Sequence, residues 1–302
     1  MTVTPHEAVE AVHELFGRHR GHRALHAKGT LLKGTFTASP EAARLSRAAH
    51  MQGDAMPVTA RVSNGGGDPR VPDYAQDVRG LAVKIYLPDG SRTDIVAQTA
   101  PRFPGHQPDA FVELLLAQKR PAALWRMPLF LMRNPSAARG LPENLAALKP
   151  PESYATLRYY AIHAFKLIDA NGGSRYARYT WIPESGDARI SASQAKSRGR
   201  DYLQEDIRRR LEQGPVRFTL ELQIAGPGDP VDDPAAKWPE GRERVQAGTL
   251  ELTGLDAERE QGADVLVFDP TRVTDGIECS DDPVLKFRPA AYAESVAQRT
   301  ST

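Results

Sequence analysis

The segment Ala161-Ile162-His163-Ala164-Phe165-Lys166-Leu167-Ile168, followed by Asp169-Ala170-Asn171-Gly172-Gly173 and then Ser174-Arg175-Tyr176-Ala177-Arg178-Tyr179-Thr180-Trp181-Ile182-Pro183, decides the fold. Two runs rich in branched and aromatic residues flank a short cluster of turn formers, which is the pattern of an antiparallel hairpin. Alternation in the first run puts Ile162, Ala164 and Lys166 on one face and His163, Phe165 and Leu167 on the other. His163 therefore belongs to the more apolar, buried side.

Working outward, further strands are expected at Leu31–Ala38, at Val58–Ser63 with Arg61 and Ser63 on one face, after the turn at Asp77 as far as Tyr86, and at Asp94–Thr99. Phe218–Ile224 and Ala247–Thr253 complete the set. Ala8, Val9, Val12, Leu15 and Phe16 recur at helical spacing and open the chain with an amphipathic helix. Helical patterns also cover Pro40–His50, Asp109–Gln118 and Asp201–Glu212, and run from Pro121 to Leu148 with interruptions expected at Pro128, Pro135 and Pro142. The glycines of Asn64-Gly65-Gly66-Gly67-Asp68-Pro69-Arg70 precede no Gly-Lys-Ser or Gly-Lys-Thr and no helix, so a flexible loop is expected there and not a phosphate cradle. No repeat or low-complexity linker divides the chain. One mixed α+β domain over 1–302, its antiparallel sheet closed into a barrel, is the most economical architecture.

Lys plus Arg number 39 against 38 Asp plus Glu, so no global field draws in nucleic acid. A single cysteine, Cys279, excludes an internal disulfide and a thiolate metal cluster within one chain, and suits a reducing compartment. No apolar run approaches a membrane span, and Met1 to Phe16 lacks the basic start and apolar core of a secretory signal. A cytoplasmic location is the resulting expectation.

Chemistry is concentrated near the end, in Lys286-Phe287-Arg288-Pro289-Ala290-Ala291-Tyr292-Ala293-Glu294-Ser295-Val296-Ala297-Gln298-Arg299. On a helix Arg288 and Tyr292 share a face one turn apart, and Arg299 follows two turns later near the same face. A fixed guanidinium beside a phenol favours the phenolate. That anion is a ligand for ferric haem iron. Upstream, His26 stands where the chain enters its first strand, with its side chain free to point into a cavity.

The order of these pieces resembles the haem catalase family, in register from Arg23 to Arg299. Arg23-Ala24-Leu25-His26-Ala27-Lys28-Gly29 is similar to the segment around that family's distal histidine. Val78-Arg79-Gly80-Leu81-Ala82-Val83-Lys84-Ile85-Tyr86 is similar to its next strand, the hairpin at His163 to its central hairpin, and Phe268-Asp269-Pro270-Thr271-Arg272-Val273-Thr274-Asp275-Gly276-Ile277-Glu278 to its approach to the ligand helix. Arg288, Tyr292 and Arg299 match in type and spacing. The resemblance implies a catalase-like antiparallel β-barrel with surrounding helices and a C-terminal haem-ligand helix. It implies haem b, with Tyr292 as the iron ligand, Arg288 holding its charge and His163 backing Arg288. Arg23, Arg61 and Arg299 would pair with the haem propionates, and Ser63 would fix the His26 ring for proton transfer between peroxide oxygens.

Two departures shape the functional expectation. Thr99, with Gln98 beside it, stands where the family carries a distal asparagine, and is taken as the third catalytic position with His26 and Ser63. The chain is also much shorter than a typical catalase. Both features resemble the small catalase-related peroxidases: hydrogen peroxide or an organic hydroperoxide would be reduced with electrons from a small organic donor, through a ferryl species. A compact catalase or a hydroperoxide-rearranging enzyme of the allene oxide synthase kind is the alternative within the fold, and a haem-carrier barrel the alternative outside catalysis. A homodimer is expected.

Overall fold

A computed structural model of the chain describes residues 3–119, 123–257, 259 and 265–300. Its strands are β1 (Gly29–Ala38), β2 (Ala55–Asn64), β3 (Arg79–Tyr86), β4 (Arg92–Gln98), β5 (Tyr159–Ile168), β6 (Ser174–Pro183), β7 (Val216–Ile224), β8 (Arg244–Leu255) and β9 (Ile277–Cys279). Antiparallel pairing runs β4-β3-β2-β1-β8-β7-β6-β5, and Gln98 of β4 pairs with Tyr160 of β5, which closes the wall into a barrel. The hairpin expected at His163 is β5–β6.

Period-two alternation sends Val58, Ala60 and Val62 of β2 and Leu81, Val83 and Ile85 of β3 into the barrel interior, where they meet Phe36, Trp181, Leu220 and Leu250. Their alternates face outward. Arg61 and Ser63, Gly80 and Ala82, and Val96 and Gln98 consequently line a cavity against the barrel's outer face. The small residues Gly80 and Ala82 keep that part of the wall thin.

The barrel's seam positions His163. β5 meets β4 at Tyr160 and meets β9 only from Phe165 to Leu167, and its register with β6 shifts between Ala161 and Ala164. A bulge re-aims side chains at the point where ladder pairing lapses. His163 lies in this one and is 1% exposed, on the buried side as its alternation indicated.

The helices are α1 (Pro5–Phe16), α2 (Pro40–Leu45), α3 (Pro108–Ala117), α4 (Ala123–Arg133), α5 (Pro135–Ala147), α6 (Ala192–Ser197), α7 (Tyr202–Gln213) and α8 (Pro283–Thr300). Of the three prolines expected to interrupt the 121–148 stretch, only Pro135 separates two helices; Pro128 lies inside α4 and Pro142 inside α5. A proline deprives the carbonyl four residues back of its donor. Those carbonyls belong to Leu124 and Ala138, both exposed, so water can replace the missing N–H. The start of the stretch at Pro121 lies outside the described residues.

Three local devices place the helices and loops that matter for the cavity. Asp282 starts α8, its Oδ1 accepting from the N–H groups of Val284 (2.8 Å) and Leu285 (3.1 Å). Asp94, fully buried, accepts from Lys84 Nζ at 2.6 Å, from Arg272 Nη1 at 2.7 Å and from the Asp269 N–H at 2.8 Å. That knot pins the irregular segment containing Leu266, Val267 and Phe268 to the barrel. Thr4 and Glu7 form a reciprocal cap that starts α1, which packs on α8 and is tied to it by His6 with Glu294 and Gln298 with Glu10.

Candidate active site

Between the outer faces of β2, β3 and β4 and the helices α1, α3 and α8 lies a cavity that gathers residues remote in sequence. His26, Ser63 and Gly80 stand on its barrel wall. Arg288, Tyr292 and Arg299 stand on α8, and Arg23 and Arg61 complete its polar lining. Val9 and Val12 of α1, Phe103, Phe111 of α3, the pinned 266–268 segment and Val296 supply apolar surface.

His26 has φ +55, the one left-handed non-glycine residue among those described. A side chain held in this region signals a constraint imposed by its surroundings. Here the carbonyls of Gly65 and Gly66 accept from the N–H groups of His26 (2.9 Å) and Ala27 (3.1 Å). The glycine loop is therefore a packed clamp, where composition suggested flexibility. A Cβ on Gly65 would fall 2.3 Å from Val78 Cγ2, and one on Gly67 2.2 Å from the Ala24 carbonyl oxygen, so bulkier residues would force this clamp apart. Ser63 Oγ is 3.0 Å from His26 Nδ1, and the ring rests over Gly80. Burial lowers the His26 pKa to about 3, reinforced by the charges of Arg61, Arg288 and Arg23. The ring is neutral and able to accept a proton.

Opposite it, Arg288 Nη1 donates to the Tyr292 phenolic oxygen at 3.0 Å, one turn apart on α8 as their spacing indicated. Behind them His163 Nδ1 is 2.6 Å from Asp282 Oδ2, and both side chains are 1% exposed. Burial, followed by the nearby Arg288 charge, lowers the His163 pKa to about 4. The ring is then neutral, so Nδ1–H donates to the carboxylate. Its Nε2 is buried with no partner among the described residues. His163 contacts Arg288 electrostatically; its hydrogen bond goes to the start of the helix that carries Arg288.

Thr99 departs from expectation. Its hydroxyl accepts from the Arg79 N–H at 3.0 Å, and it borders a different cleft, so it does not reach the cavity shared by His26 and Tyr292. The strand's alternation explains the difference: Val96 and Gln98 face outward and Thr99 is the next residue round. Gln98 is the polar side chain at that place, its Nε2 donating to the Ala100 carbonyl at 3.3 Å. Sequence reasoning also missed Gly80 and Asp282, although a glycine beginning a strand and an aspartate before Pro283 were legible signals for a close approach and a helix cap.

A haem fits the donor set. Four guanidiniums, a phenol and a broad apolar surface line the cavity, and no Asp or Glu does so among the described residues. A flat apolar body with carboxylates at its rim is the complement of such a wall. Arg23 Nη2 also donates to the Leu266 carbonyl at 2.7 Å, tying the 266–268 segment to this face.

The chain belongs to the catalase family, whose profile it matches over residues 5–302. Within that family it falls in the branch of small catalase-related peroxidases, and is an oxidoreductase acting on peroxide. It is 46% identical to the catalase-related peroxidase of Mycolicibacterium paratuberculosis over 99% of this chain and 95% of that protein. Identity to the Synechococcus elongatus catalase-related peroxidase is 33%, covering 99% and 89%. The barrel superposes on catalase A from Saccharomyces cerevisiae with a TM-score of 0.79 at 24% identity, covering 93% of this chain and 61% of that one, a likeness of fold.

Proposed function

We propose that the chain acts as one haem b-binding unit that reduces hydrogen peroxide or an organic hydroperoxide with electrons from a small organic donor in the cytoplasm. The observation that carries this reading is the pairing across one cavity of a neutral His26, held by Ser63, with Tyr292, held by Arg288. A carrier needs the second pair but has no use for the first.

Arg23, Arg61 and Arg299 would hold the haem carboxylates, and the Tyr292 phenolic oxygen would bind its iron. Bound haem would supply electron transfer to the peroxide bond and from the donor. The protein's own work is proton handling. With Nδ1 committed to Ser63, the His26 Nε2 would accept a proton from one peroxide oxygen and return it to the other, so that this second oxygen could depart as water or alcohol. Arg288, donating to the phenolic oxygen, keeps it oriented, and His163 with Asp282 anchors the first turn of α8 beneath it. Phe103 and Phe111, stacked with centroids 5.6 Å apart, make an apolar wall suited to an alkyl hydroperoxide.

Haem titration of Tyr292→Phe tests the assignment. Loss of the absorption of phenolate-ligated ferric haem, together with most turnover, is expected. Wild-type bands and rates in the variant would overturn it.

A further inference from the structure

α4 presents apolar side chains on two opposite sides. Met127, Phe130 and Leu131 pack with Ala110, Ala117 and Ala137 into a small core against α3 and α5. On the other side Leu124 is 90%, Trp125 59% and Met132 79% exposed. With the exposed Pro128 they follow one stripe of the helix. Single exposed apolar residues are ordinary, but a continuous stripe marks an interaction surface.

The segment that carries this stripe is basic in sequence. Between Glu113 and Glu143 the sequence holds Lys119, Arg120, Arg126, Arg133 and Arg139 and no Asp or Glu, in a chain whose charges otherwise balance at 39 against 38. Arg126 lies over the Trp125 ring, 5.1 Å from its centroid, and Arg133 pairs with Glu113 at the start of the segment at 3.2 Å.

We propose that this face of α4 docks on an anionic lipid bilayer. Leu124, Trp125 and Met132 enter the boundary between headgroups and acyl chains, while Arg126 and Arg139 meet headgroup phosphates. Cations flanking an apolar stripe with a tryptophan are the chemistry of interfacial helices. A second copy fits less well: a two-fold interface would bring the same cationic patch together from both copies. No helix among the described residues is long and apolar enough to cross a membrane, so the attachment is peripheral. The far side of α3, bearing Phe111, lines the haem cavity, which places the cavity's apolar wall one helix from the lipid. The docking itself does not depend on the peroxidase reading.

The test is flotation of the haem-loaded protein with phosphatidylcholine vesicles, with and without phosphatidylglycerol, at low and high salt. Trp181 and Trp238 are buried at 0% and 2% exposure, so a blue shift in emission reports Trp125. Wild type should float and shift with the anionic vesicles. The bound fraction should fall at least ~tenfold in the Trp125→Glu/Met132→Glu double variant and be much reduced by salt. An unchanged haem spectrum and elution volume confirm that the variant is folded. Arg126→Glu/Arg139→Glu, which leaves the apolar stripe in place, should lose the anionic preference. No flotation of wild type, equal binding to neutral vesicles, or a wild-type dimer dissociated by the double variant would overturn the proposal.

Discussion

The His26 ring lies directly over the α-carbon of Gly80: a Cβ at that position would stand 2.9 Å from both Cε1 and Nδ1 of the imidazole and 2.8 Å from Ser63 Oγ. Glycine at position 80 thus allows the strand, the serine and the histidine to share one small space. The arrangement is fixed from three directions: Gly80 beneath the ring, Ser63 on its Nδ1, and the Gly65 carbonyl on its backbone N–H.

Gly80→Ala is accordingly expected to displace the ring while leaving the barrel folded. Misplacing a proton-transfer group by about 1 Å costs on the order of 10²-fold in rate. Rapid-mixing measurement of the reaction with peroxide should show such a loss with near-normal haem binding. A rate equal to wild type would mean the ring position is not set by this contact.

His26→Ala should also retain haem and react about 10²–10⁴-fold more slowly with peroxide. Because burial and three arginines lower the His26 pKa to about 3, wild-type reactivity should show no His26 inflection between pH 5 and 8. It should decline as the pH falls toward 3. A break near neutral pH that disappears in His26→Ala would contradict this.

The same sign governs stability. His26, His50 and His163 have folded-state pKa values lowered to about 3, 4 and 4, whereas unfolded histidine titrates near ~6.5. Unfolding therefore takes up protons between pH ~6.5 and about 4, and for His26 down to about 3. Stability from this source is complete above that window and is lost as the pH falls through it, which denaturant titrations of haem-free protein across the range would show.

Gln98, not Thr99, is expected to influence the fate of a second hydrogen peroxide. Gln98→Asn should change the ratio of oxygen release to donor oxidation. Thr99→Val removes only the acceptor for the Arg79 N–H, so it should lower stability by about 1 kcal/mol and leave that ratio alone. The reverse pattern in paired oxygen-electrode and donor-oxidation assays would restore Thr99 to the site.

The hairpin, the shared face of Arg61 and Ser63, and the Arg288–Tyr292 turn were legible because each follows from a local period of two or about four residues. Thr99 lies apart from the cavity because β4 ends at Gln98, a boundary that depends on the seam with β5, where Gln98 pairs with Tyr160. The clamp on His26 was hidden for a different reason. Composition identifies three glycines as a loop, but their tightness comes from Val78, Ala24 and Phe16, which only the fold brings together. Likewise, nothing in the spacing of Asp94, Asp269 and Arg272 announces a shared knot.

Rapid mixing of the haem-loaded protein with hydrogen peroxide or an organic hydroperoxide, with and without an oxidisable phenolic donor, while oxygen is monitored, tests the central claim most directly. Fast reaction with both peroxides is expected, with a return to the resting spectrum that depends on the donor and little oxygen released. Vigorous oxygen evolution without donor would contradict that claim and make the protein a compact catalase.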